Sequence, residues 1–166
     1  MTAPPRIGRA RLGLRAELLL AALPTITVLI VFAIVETFTR QRLLFASLAG
    51  SAFLIYLDPE HATNQIKTLL VAQLGAATIG YLLLLALGPG YAAAAIAMVI
   101  TIGALVALDR VHPPAVSTAL AFAFQDTKQS NLWLFGLAAA MVALLCGIER
   151  GSLWFLEGAR SRQKGA

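Results

Sequence analysis

Charge is what this sequence has least of. Asp, Glu, Lys and Arg make up only 13% of its 166 residues, about half their usual share. A soluble domain of this size needs far more charge to cover its surface. The shortage is also uneven. No charged side chain occurs in 18–35, 43–57, 68–108, 111–125 or 129–148, runs of 18, 15, 41, 15 and 20 residues. Runs of about 20 apolar residues mark membrane-spanning helices. A soluble enzyme, a secreted disulfide scaffold and a disordered chain are excluded. Cysteine is almost absent too: Cys146 is single and lies inside an apolar run, so no disulfide forms within the chain. Catalytic signatures are missing, with no glycine-rich phosphate loop, nucleophile elbow or His-Glu-x-x-His. His61 stands beside Asp58, Glu60 and Asn64 without metal-ligand spacing. The expectation is a protein that is not an enzyme and holds no metal or cofactor.

What is present is an apolar chain, with 59% hydrophobic residues and a mean hydropathy of +0.81. Its net charge of +5 does not point to nucleic acid, because the basic residues flank apolar runs. Arg6, Arg9, Arg11 and Arg15 precede the first; Arg150, Arg160, Arg162 and Lys164 follow the last. Leu18–Val35 exceeds a signal-peptide core, and no small-residue cleavage site follows it, so a retained helix is expected. Gly88-Pro89-Gly90 is a turn signal that divides the longest run. The expected fold is therefore an all-α integral membrane protein of six embedded segments. Four are long (18–38, 67–87, 91–108, 131–149) and two are short (43–57, 113–124). The short ones reach only about 22 Å or less against roughly 30 Å of hydrocarbon, so they either cross with help from flanking residues or re-enter.

The positive-inside rule favours six crossings. With the N-terminus inside, ten basic residues lie inside and Arg40, Arg42 and Lys128 lie outside; four crossings would give eight against five. Both arrangements put both termini in the cytoplasm. The expected organisation is a basic tail at 1–17, a membrane domain at 18–150 and a second basic tail at 151–166, in a bacterial inner membrane. A shift of 67 residues lays Gly50-Ser51-Ala52 on Ser117-Thr118-Ala119, and Ala72, Ala76 and Gly80 on Ala139, Ala143 and Gly147. These matches fit an inverted 3+3 repeat, and equally chance in an alanine-rich chain.

The most unusual local sequence is Asp109-Arg110-Val111-His112-Pro113-Pro114-Ala115-Val116-Ser117-Thr118-Ala119. Two prolines suit only the first turn of a helix, which places His112 near the N-cap of 113–124. The free amides of Ala115 and Val116, with the hydroxyls of Ser117 and Thr118, would suit an anion. Gln73 and Thr78, five residues apart, face different sides of their helix and are expected to make packing contacts.

Val111–Leu120 resembles the signature of the HPP family of small integral membrane proteins, named for its His-Pro-Pro motif. Leu44–Leu54 resembles the family's other recurrent stretch, an Ala-Ser-x-Gly/Ala-x-Ser-Ala-like run. The resemblance extends over about 18–150. It implies a multi-pass membrane protein, usually described with four transmembrane helices, whose plastid and cyanobacterial relatives are associated with nitrite transport. It also singles out His112, Pro113, Pro114, Ser117 and Thr118, together with Ser47, Gly50 and Ser51. The sequence departs from the family pattern at three places. Val116 replaces a glycine, Ile66-Lys67-Thr68 stands for a Pro-Arg-Asn-like triplet, and Gln73 occupies a place often held by histidine.

Two functions are expected from these readings. One is a transporter or channel for a small inorganic anion, nitrite-like, with the N-terminal ends of 43–57 and 113–124 near the midplane. The other is a membrane scaffold, a homo-oligomer joined through the small-residue faces of 67–87 and 131–149. The bilayer is a partner in both, and nucleic acid in neither.

Overall fold

A computed structural model of the chain describes residues 14–15, 18–19, 21–22, 25–26, 28–30, 33, 43–125 and 131–164. Among these residues all regular structure is helical, with no strand. Arg6, Arg9, Arg11, Arg40, Arg42 and Lys128, on which the charge count draws, lie outside the described residues, as does much of 18–38.

Five helices have defined bounds: α1 (Leu43–Leu57), α2 (Ile66–Leu87), α3 (Tyr91–Ala107), α4 (Pro114–Ala123) and α5 (Asn131–Lys164). A short 3₁₀ turn, Ala62–Asn64, precedes α2. Described residues between 14 and 33 are helical as well, and Val28 packs on the same core as α1. The charge-free runs thus forecast the helices closely, with three corrections. α3 was expected to be a long segment through Leu108 but ends at Ala107, because residues 108–110 form a helix-stop motif. Arg110 N donates to Leu105 O and Asp109 N to Val106 O, with Asp109 at φ 51°. The helix opened by the two prolines starts at Pro114 with Pro113 as its cap, so His112 sits one residue further out than expected. The last helix does not stop at 149; no proline interrupts it, and it continues through the presumed tail to Lys164. Among the described residues, α2 and the 135–158 stretch of α5 are long and apolar enough to cross a membrane.

Ring contacts and hydrogen bonds fix the two ends of the assembly. His112 Nδ1 meets Thr63 O at 3.0 Å, so the connections 58–65 and 108–113 share one end. The Tyr91 and Phe124 rings meet edge to face at 5.3 Å, so the 88–90 turn and the C-terminal end of α4 share the other. α4 runs between these ends at the centre, touching α1, α2 and α3.

The centre is built from small side chains. One face of α2 buries Ala72, Ala76 and Gly80, and Ala115, Ala119 and Ala123 of α4 lie in the same alanine-rich cluster. A Cβ on Gly80 would stand 2.9 Å from the Phe122 Cβ and would collide with the Ala119 carbonyl. In lipid, where apolar surface gains little by leaving its solvent, such close approach supplies the dispersion contacts that hold helices together. The matching stripe on α5 is used differently: Ala139, Ala143 and Gly147 are exposed. A larger cluster on the other side joins Leu48 and Ile55 of α1, Leu69 of α2, Phe122 of α4 and Leu145 and Ile148 of α5.

Candidate functional site

The site begins with a turn that seals the end of α1. Buried Asn64 donates from Nδ2 to Leu54 O at 2.9 Å and to Asp58 O at 2.7 Å, stapling the connection beneath α1. The exposed His61 caps the 3₁₀ turn by accepting from Thr63 N at 3.2 Å. So held, Thr63 directs its carbonyl at His112. On the facing connection, the αL residue Asp109 turns the chain away from α3 and delivers His112 to the same place.

His112 is fully buried, 0% exposed, between two partners. A carbonyl only accepts, so Nδ1 carries the hydrogen that reaches Thr63 O. In a neutral ring Nε2 is then an acceptor, and it takes the hydroxyl hydrogen of Ser51 at 2.8 Å. His112 lies outside the helices, and its two ring nitrogens are taken by Ser51 and the Thr63 carbonyl. Burial pushes its pKa down to about 4, with the Thr63 carbonyl acting weakly in the opposite direction. The ring is therefore neutral at pH 7.

From Ser51 the network runs inward. Gln73 of α2 donates from Nε2 to Ser51 Oγ at 3.1 Å and lies 3.3 Å from Ser47 Oγ. Its Oε1 accepts from the Thr118 hydroxyl of α4. Ser47 Oγ lies 2.6 Å from Thr118 Oγ1 and donates to Pro114 O at 2.8 Å. Ser47, Ser51, Gln73, His112 and Thr118 are each at most 2% exposed. Five polar side chains from three helices and one connection thus converge inside an apolar body, and none carries a charge at pH 7.

Four residues singled out from the sequence meet here: Ser47, Ser51, His112 and Thr118. Pro114 adds its carbonyl, and its ring faces Gly50, where a Cβ would lie 3.4 Å from Pro114 Cγ. Pro113 is an exposed cap, and half-buried Ser117 stands outside the network. The amides of Ala115 and Val116, expected to be free, donate to His112 O at 3.0 Å and Pro113 O at 3.1 Å. The Thr63 contact holds the N-terminal end of α4 level with the 58–65 connection, at the start of α2. Gln73, read from the sequence as a packing contact, is the hub. Its signal was available: residue 73 adjoins the Ala72–Ala76–Gly80 stripe, and a glutamine on a buried stripe must find partners. Thr78 does face elsewhere, exposed and bonded to Leu74 O at 2.8 Å.

Among the described residues, grooves of about 340 and 360 Å³ lie beside α1 and beside α3, and no network residue lines either. Among the described residues, no group of three His, Cys, Asp or Glu side chains comes together as a metal site would require.

Comparison with known proteins places these features in a family. The family described as "HPP, transmembrane region" matches residues 11–153. No curated protein and no solved structure matches the chain.

Proposed function

The chain belongs to the HPP family and is a membrane protein, and from that premise we propose that it passes a small inorganic anion, nitrite-like, across the bilayer. The observation that carries this reading is the convergence of Ser47, Ser51, Gln73, His112 and Thr118 in a body otherwise packed with alanine and leucine. Polar groups inside a membrane domain are costly, and they recur where a solute must exchange water for protein contacts. Hydroxyl and amide hydrogens are suited to an anion, and neutral groups bind it weakly enough to release it. In this reading the network as seen is the closed state, with its hydrogens directed at protein oxygens. The protein sits in the cell membrane, a bacterial inner membrane, with six crossings and both termini in the cytoplasm. The His112 end of the site then faces the cytoplasm.

Nitrite uptake into proteoliposomes tests the reading. Saturable uptake by the wild type is expected, falling at least tenfold in His112→Ala. Uptake no faster than in protein-free vesicles would remove the anion reading.

A second reading has its own support. The exposed stripe Ala139, Ala143, Gly147 on α5 is shaped for close helix packing and finds no neighbour within the described chain. It suits a homo-oligomeric scaffold with no flux. Ala143→Trp would then convert the oligomer to monomer in detergent, as measured by light scattering.

A further inference from the structure

The hydrogens of the network can be counted. Six short contacts link it in a chain: Thr63 O to His112 Nδ1, His112 Nε2 to Ser51, Ser51 to Gln73, Gln73 to Thr118, Thr118 to Ser47, and Ser47 to Pro114 O. The Gln73 amide nitrogen and oxygen also lie 3.3 and 3.4 Å from Ser47 Oγ, so its second N–H reaches Ser47 in either orientation and leaves the count unchanged. At both ends the acceptor is a carbonyl, so the terminal hydrogens come from His112 Nδ1 and from Ser47. With a neutral imidazole and the Gln73 amide as observed, the remaining hydrogens are fixed. Ser51 donates to His112, Gln73 to Ser51, and Thr118 to Gln73 Oε1. Nothing is left for the 2.6 Å contact between Thr118 and Ser47, whose single hydrogen faces two acceptors at once. The chain of contacts is one hydrogen short.

One added proton repairs it, provided that the amide turns. Suppose His112 carries hydrogens on both nitrogens. Nε2 then donates to Ser51, and the Ser51 hydroxyl must find a new acceptor. A half turn of the Gln73 carboxamide about its last bond places Oε1 there and carries Nε2 to Thr118. Thr118 is thereby released to donate to Ser47, and Ser47 to Pro114 O. Each of the six contacts now holds one hydrogen. The two mixed arrangements do not close. A neutral ring with a turned amide leaves one of Ser51's two contacts without a hydrogen, and a charged ring with an unturned amide leaves the Ser51 hydroxyl without an acceptor inside the network.

We propose that proton uptake at His112 is obligatorily coupled to a half turn of the Gln73 carboxamide, which transmits the protonation state from the 58–65 end of the molecule to the Ser47–Thr118 pair. The turn reverses the direction of each hydrogen bond between His112 and Thr118, supplies the missing one between Thr118 and Ser47, and brings an amide N–H to Thr118. The inference rests on the hydrogen-bond geometry and is independent of which solute, if any, the protein passes. Other ionisable groups nearby in the chain are Asp58, Glu60 and His61 on the connection before α2, Lys67 in the first turn of α2, and Asp109 and Arg110 beside His112 itself. The imidazole's own bonds run to Ser51 and the Thr63 carbonyl.

The test is nitrogen-15 NMR of the full chain in lipid nanodiscs from pH 3 to pH 7, with His61→Gln used to assign the two histidines. The Gln73 side-chain amide resonances are expected to shift with the same midpoint as the His112 ring. In Thr118→Val, which is nearly isosteric and does not touch the ring, the protonated arrangement loses two hydrogen bonds and the neutral one loses only one. The His112 midpoint should then fall by about one pH unit, a tenfold loss of proton affinity. Gln73 resonances that ignore the His112 titration in the wild type would overturn the proposal, with no variant needed. An unmoved midpoint in a Thr118→Val protein of wild-type helicity would overturn it as well.

Discussion

At the scale of single residues, the burial of His112 has a consequence for stability. Its pKa is about 4 in the folded protein against 6.5 in an exposed ring. The unfolded chain therefore takes up the proton first as the solution is acidified. Stability is complete above about pH 6.5 and is lost progressively as pH falls towards 4, on the order of 3 kcal/mol in all. Thermal unfolding in detergent should show this as a falling Tm between pH 7 and pH 4, and His112→Gln should flatten that part of the profile. His112, Ser47, Ser51 and Thr118 were legible because each stands in a short motif whose residue types are unusual for a membrane span. Gln73 and Thr63 were not. Gln73 has no motif around it, and its role appears only when α1 and α4 bring hydroxyls to both sides of it. Thr63 contributes a backbone carbonyl, which no side-chain pattern reports.

At the scale of elements, the sequence located helices better than their ends. Charge-free runs reveal where a chain is apolar, but a helix stops where backbone hydrogen bonds are diverted. Residues 108–110 show the difference: Leu108 is apolar, yet Asp109 takes φ 51° and ends α3 there. That conformation strains a β-branched side chain and suits glycine. Asp109→Gly should keep or slightly raise Tm, whereas Asp109→Val should lower it and weaken the placement of His112. The two small-residue stripes make a sharper comparison. Gly80→Ala pushes a methyl group against Phe122 and the Ala119 carbonyl and should cost about 1–3 kcal/mol. Gly147→Ala, with nothing within 4 Å of its new Cβ, should be neutral or stabilising in the same unfolding assay. Equal effects at both sites would mean that the α2 stripe is not the packed one. The stripes look alike in the sequence because composition records size, not which face is covered.

At the scale of the whole molecule, the 58–65 and 108–113 connections lie at one end and the 88–90 turn at the other. With six crossings, the first end is cytoplasmic. In a Cys146→Ser background, Pro89→Cys should react with a membrane-impermeant maleimide in intact cells, and Glu60→Cys only after permeabilisation. Labelling of both from outside would refute the arrangement. The helical class and the apolar segments were readable from the sequence, since they follow from where charge is missing. Which segments share an end was not, because it depends on contacts between residues as far apart as Thr63 and His112. α5 adds a mechanical property to this architecture. Ile148 packs in one cluster with Ile55 and Leu69, near the 58–65 end, and burial continues at Ser152 and Leu156, yet the helix runs on to Lys164, about 12 Å beyond Leu156 at 1.5 Å per residue. The same rigid rod that is clamped in the core thus projects beyond it as a lever arm. A tilt at the clamped part is carried unbent to the tip, so the last two or so turns, beyond buried Leu156, move with the core.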